Sequence, residues 1–100
     1  MTTDESERVC VAAIGELDLA AAPRLDRALR DAEADRPRTL VLDLSALEFL
    51  DSTGLNVIVN AYRRAAIEGR ELLVVEAPAH VQKIFSVTQL DRLLTFVQAS

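Results

Sequence analysis

The order of apolar runs in this 100-residue chain predicts an α/β fold, an open, mostly parallel sheet of about four to five strands covered by amphipathic helices. Three observations carry that prediction. Short runs rich in Val, Leu and Ile recur at residues 9–14, 39–44, 72–75 and 93–97. Longer stretches with a three-to-four-residue apolar period stand between them. The two kinds of segment alternate along the whole chain, and parallel neighbours joined this way take right-handed crossovers.

Residues 9–14 form an apolar run ended by Gly15, the signature of a strand. Ala22-Pro23 then opens a helix, since proline fits a first helical turn. Leu25, Ala28, Leu29 and Ala32 fall at the spacing of one buried stripe. Asp26 with Arg30, and Arg27 with Asp31, are expected as i,i+4 pairs on its wet face. Arg36-Pro37-Arg38 ends the helix. The run 39–44 is so continuously apolar that a central strand covered on both faces is expected.

A loop over residues 45–51 leads to the longest helix. Leu55, Ile58, Val59, Tyr62, Ala65 and Ala66 keep helical spacing across it, and Gly69 stands where a left-handed cap belongs. Residues 72–75 read as a third buried strand. Pro78 opens a short helix that turns Val81, Ile84 and Phe85 inward. After a turn near Gln89, residues 93–97 read as the last strand. A single domain over residues 1–100 is expected, with the polar residues 1–8 flexible.

Charge and composition exclude several function classes. The net charge is −5, and residues 1–18 hold five carboxylates against one arginine. Nucleic-acid binding rests on basic surface that displaces counterions from phosphates, so no direct nucleic-acid partner is expected. No apolar run nears the roughly 18 residues of a membrane span. The polar, acidic start lacks the chemistry of a secretion signal, and one cysteine, Cys10, allows no internal disulfide. A cytoplasmic location without membrane association is the expectation.

The candidate working site is Asp51-Ser52-Thr53-Gly54, directly ahead of the helical period that begins at Leu55. Such residues are ordinary N-caps, whose side-chain oxygens accept free amides of the first turn. A functional reading adds to this. A helix N-terminus tolerates an anion, so a phosphate on Ser52 would leave the fold intact. Gly54, with no β-carbon, would let another protein approach the serine closely. Asp51 and Asp18 would repel a doubly charged phosphate and so sharpen its effect on docking.

Four stretches in this order and spacing resemble a STAS domain: Gly15-Glu16-Leu17-Asp18, Ala22-Pro23-Arg24-Leu25, Leu42-Asp43-Leu44 and Phe49-Leu50-Asp51-Ser52-Thr53-Gly54-Leu55. Within that family the chain is similar to the bacterial anti-sigma factor antagonists, over about residues 9–97. The resemblance implies a STAS-like sheet and a two-partner switch. The unphosphorylated form would bind an anti-sigma factor that is also a serine kinase, freeing a sigma factor. Phosphorylation would end that binding, and a PP2C-type phosphatase would restore it. The family's phosphorylated serine falls on Ser52. Its acidic neighbours fall on Asp51 and Asp18, and Thr53, Gly54, Leu55 and Asn56 fall on the partner-binding start of the helix. No cofactor, metal or catalytic residue is implied.

Four departures accompany the match. The family usually has a strand before the one at Val9, and many relatives carry a final helix after the last strand. Gln89 stands where glycine is common, in a turn that needs positive φ. Asn56 stands where a small residue is frequent, which bears on which kinase fits.

Other candidates have plainer roles. Cys10 lies in an apolar strand and is expected to be a small buried hydrophobe. His80, the only histidine, has no acidic or cysteine partner at metal-ligand spacing and reads as a solvated helix residue. Asp43 ends a strand and suits a hydrogen-bonding carboxylate, and Glu48 suits the surface. An aspartic protease is disfavoured because Asp-Ser-Thr-Gly is one residue longer than that motif and precedes a helix. Serine hydrolase chemistry lacks a base near Ser52. A phosphoaspartate receiver would need a lysine after a later strand, whereas Lys83 lies within a helix. A STAS scaffold or sensor module in a stress-signalling complex keeps the same fold with a different partner.

Overall fold

The computed structural model describes residues 8–99. The polar residues 1–7, most of the stretch expected to be flexible and the place where the family's usual extra strand would fall, lie outside the described residues. Arg8, also expected in that flexible stretch, instead opens the first strand, opposite Thr39. Strand β1 runs Arg8–Ala12, β2 Gly15–Leu17, β3 Thr39–Asp43, β4 Leu47–Leu50, β5 Glu71–Val75 and β6 Thr95–Val97. Helix α1 is Ala22–Ala34, α2 Ser52–Glu68 and α3 Ala79–Val87, and a 3-10 turn at Leu90–Arg92 precedes β6.

Strands β1, β3, β5 and β6 form one sheet in the order β1-β3-β5-β6, every pair parallel. Val9, Leu40 and Leu72 stand in one cross-strand row, and Val11, Leu42 and Val74 in the next. These rows face the helices. Leu40, Leu42 and Val74 are sealed there with Leu25 and Leu29 of α1, Ile58, Ala61 and Ala65 of α2, and Val81 and Phe85 of α3. Phe85 meets Phe96 of β6 edge-to-face, with ring centroids 5.0 Å apart, which fixes the last strand to the core.

The other face of the sheet stays half-open. Val41 and Leu73 share a row there and are only partly covered, so β3 is central but not covered on both faces as expected. Cys10 lies in the same row on the edge strand β1 and is exposed rather than buried. Its side chain faces the half-open side, and among the described residues β1 has one neighbouring strand.

The helix ends follow local chemistry. Pro23 lies in the first turn of α1. Of the two expected i,i+4 pairs only Asp26–Arg30 forms, at 3.0 Å. Ala28 is exposed, and the stripe is completed by Glu33, which is buried. Gly69 ends α2 with φ 71°, its amide donating to the Ala65 carbonyl. Gln89 holds φ 65°, the left-handed conformation that made glycine the expected residue.

Residues 45–51 are not all loop. Leu47–Leu50 pairs in parallel with Gly15–Leu17, a two-stranded ribbon beyond the main sheet. Its buried residues Leu17, Leu47 and Leu50 make the platform on which α2 begins.

Candidate functional site

The site is built where the ribbon hands the chain to α2. Asp51 has extended backbone (φ −109°, ψ −177°) and is the N-cap, its Oδ1 accepting the Gly54 amide at 3.0 Å. Its Oδ2 accepts the Leu19 amide at 3.2 Å, and its own amide donates to the Leu17 carbonyl at 3.2 Å. One carboxylate thus caps a helix and ties the β2–α1 loop to it. Asp18 organises the same loop. Its Oδ1 accepts the amides of Ala20 (3.1 Å) and Ala21 (3.0 Å), and its carbonyl accepts those of Ala21 and Ala22.

Ser52 is exposed and is the first residue of the helix. Capping falls to Asp51, so the two uses foreseen for the serine separate, and its hydroxyl is not committed to the backbone. Gly54 and Leu55 amides are taken by the Asp51 side chain and carbonyl. The amides of Ser52 and Thr53 have no backbone partner among the described residues, so two donors and the positive end of the α2 dipole sit beside the hydroxyl.

Gly54 has a different reason from the one foreseen. It is buried, and a β-carbon there would meet Leu17 Cγ at 2.6 Å, the Leu17 carbonyl at 2.7 Å and Leu50 Cδ1 at 2.9 Å. Its missing side chain lets α2 seat on the chain's own ribbon; it is not a cleft for another protein. Asn56 lies one turn beyond Ser52 and is exposed on the same side, while Thr53 and Leu55 are half-buried.

Two large apolar side chains are exposed on the segments that meet at Asp51. Leu19 is 73% exposed beside Asp51, and Phe49 is 49% exposed three residues before Ser52. Sequence reasoning passed over both. A large apolar side chain in a turn otherwise made of an aspartate and small alanines, Asp18-Leu19-Ala20, was the available signal for Leu19. Around this patch His80 Nε2 lies 2.8 Å from the Glu48 carbonyl and pins α3 to β4, and Glu48 itself is exposed. Asp43 Oδ1 accepts the Ser45 amide at 2.9 Å, the hydrogen-bonding part expected of it. Among the described residues no helix is long and apolar enough to cross a membrane.

A parallel sheet covered by helices on one face, with an exposed serine directly after the cap of its longest helix, defines a small α/β domain whose chemistry-bearing residues form a surface rather than an enclosed pocket. The sequence model of the STAS domain covers residues 1–100, and the chain belongs to that family. It is similar to the anti-sigma-F factor antagonist RsfB of Mycobacterium tuberculosis, 44% identical over 59 residues that cover 58% of this chain and 48% of RsfB. The chain therefore matches about half the length of that curated relative. An anti-sigma-B factor antagonist of Staphylococcus aureus is 27% identical over 93% of this chain and 86% of its own. The crystal structure of an anti-sigma factor antagonist from Mycobacterium paratuberculosis superposes with a TM-score of 0.82, at 34% identity, over 90% of this chain and 76% of that one.

Proposed function

We propose that this domain is an anti-sigma factor antagonist, a regulated binder rather than a catalyst, switched by phosphorylation of Ser52. The observation that carries the reading is the position of that hydroxyl. It is exposed, free of the cap and beside two open amides. A phosphate there adds roughly −1.5 to −2 charges and meets donors that the helix offers, so the fold tolerates it. The same charge enters a surface that already holds the carboxylates of Asp18 and Asp51, and a partner matched to the unmodified surface loses its fit.

The partner in this reading is an anti-sigma factor with serine kinase activity. It docks on Asp18, Asp51, Thr53, Leu55 and Asn56, with Leu19 and Phe49 as apolar anchors and Gly54 holding the helix start from beneath. Aromatic and aliphatic anchors inside a polar rim are what give such surfaces their affinity. A PP2C-type phosphatase removes the phosphate. The names of the similar proteins support the sigma-factor context.

The test is incubation of the chain with its anti-sigma factor and ATP, followed by peptide mass spectrometry and a binding measurement. One phosphate on Ser52 and weaker capture of the modified form are expected. Ser52→Ala should stay bound and unmodified, and Ser52→Asp should weaken binding only in part, having about half the charge. A phosphate placed elsewhere, or equal capture of both forms, overturns the reading.

A further inference from the structure

A concave feature lies at the far end of α2, about 25 Å from Ser52 along a 17-residue helix. It is a cleft of about 810 Å³ where α1 and α2 end and where β3 and β5 begin. Five arginines line it, namely Arg30, Arg36, Arg38, Arg64 and Arg70. That is half of the arginines in a chain whose net charge is −5. We propose that this cleft binds a condensed phosphate, a compact chain of phosphoryl groups with no base attached.

The acids in the cleft do not neutralise it. Both Glu33 oxygens are held by Arg64, at 2.6 and 2.9 Å, and Glu68 is held by Arg70. Arg30 pairs with Asp26 at 3.0 Å. Arg36 and Arg38 are exposed and form no ion pair among the described residues. Two helix C-termini contribute partial negative charge, which explains one or two nearby cations but not five.

Arg70 is the independent observation. Its side chain is 4% exposed, and its Nε and Nη1 are buried without a hydrogen-bond partner among the described residues. A buried guanidinium with unpaired donors is costly unless an acceptor completes it. The third nitrogen is occupied by Glu68, whose side chain is 52% exposed and so free to swing into solvent. A phosphoryl group that takes the place of Glu68 reaches Nη2, and a turn of the guanidinium offers it Nε or Nη1 as the second prong of a fork.

The ligand class follows from the lining. The volume is that of a small-molecule site. Arginine forks match phosphoryl oxygens in pairs. The walls are Arg, Glu, Ala, Pro and Gly, with no aromatic ring to stack a nucleobase.

The experiment is a calorimetric titration of the full chain with sodium tripolyphosphate, orthophosphate, magnesium-free ATP and a hexaglutamate peptide. Saturable binding of tripolyphosphate is expected, with orthophosphate weaker and ATP no tighter. Arg36→Gln combined with Arg38→Gln should weaken tripolyphosphate by about tenfold or more while the melting temperature holds, because both side chains are exposed. Glu68→Gln should tighten it. Absence of saturation, or unchanged affinity in the double variant, overturns the site. Tighter ATP or tighter hexaglutamate overturns the ligand class, assigning the cleft to a nucleotide or an acidic peptide.

Discussion

The Asp51 carboxylate accepts the amide of Leu19, 32 residues away in sequence, at 3.2 Å, while its other oxygen caps α2. This one side chain makes the β2–α1 loop and the head of α2 a single surface. The exposed Leu19, Ser52 and Asn56 are presented together because of it.

Asp51→Ala should therefore cost more than an ordinary cap, about 1–2 kcal/mol, since it also leaves the Leu19 amide without its acceptor. Urea denaturation measures it. Ser52→Ala removes no cap and should change stability by less than about 0.5 kcal/mol. Equal losses for the two variants would contradict the assignment of the cap to Asp51.

Gly54→Ala sets two effects against each other. Alanine is the better helix former by about 1 kcal/mol. Its β-carbon, however, would lie 2.6–2.9 Å from Leu17 and Leu50, and one of those contacts is a backbone carbonyl that cannot swing away. Overpacking of this kind costs about 1–3 kcal/mol, so a lower melting temperature is expected. A more stable variant would show that the ribbon yields easily.

Glu33 and Arg64 form a two-pronged ion pair between α1 and α2, with side chains 8% and 18% exposed. The hydrogen bond to Glu33 raises the Arg64 pKa above its ordinary value, ahead of the opposing effect of burial. Arg64→Met should destabilise by about 3 kcal/mol because it strands a buried carboxylate. Adding Glu33→Leu should recover most of that loss, since the stranded charge is then gone. Thermal melts of the single and double variants decide the point.

Cys10 is exposed on the open sheet face, yet partial burial and then the Asp43 carboxylate push its thiol above the ordinary value. The raised group is an acid, so the unfolded chain releases its proton first. Stability from this group is whole below the unfolded pKa and declines as pH climbs toward the folded one. The rate of iodoacetamide alkylation against pH should inflect above about 8.5, the free thiol value. Asp43→Asn should bring the inflection down.

The strands β1, β3 and β5 and the three helices were legible because each has its own local period. The ribbon was not. Leu47-Glu48-Phe49-Leu50 is buried only at its ends, and Gly15-Glu16-Leu17 is three residues long. Neither pattern marks a strand until the other lies beside it. The candidate serine was legible as a helix start, but the choice of cap was not, since Asp51, Ser52 and Thr53 can all serve. The Leu17 carbonyl and the Leu19 amide, both outside the helix, settle it on Asp51.

The chain's own order of residues determined the α/β class, the alternation of the main elements, the glycine that closes α2 and the place of Ser52 at its opening, whereas the first strand, expected at 9–14, runs Arg8–Ala12 and the last, expected at 93–97, shortens to Thr95–Val97. These depend on side chains within a few residues of one another. Tertiary structure decided that Cys10 faces outward, that Gly54 is required from within, and that arginines from residues 30 to 70 meet in one cleft. Those outcomes depend on which distant segments become neighbours, and only the packing of helices on the sheet specifies that.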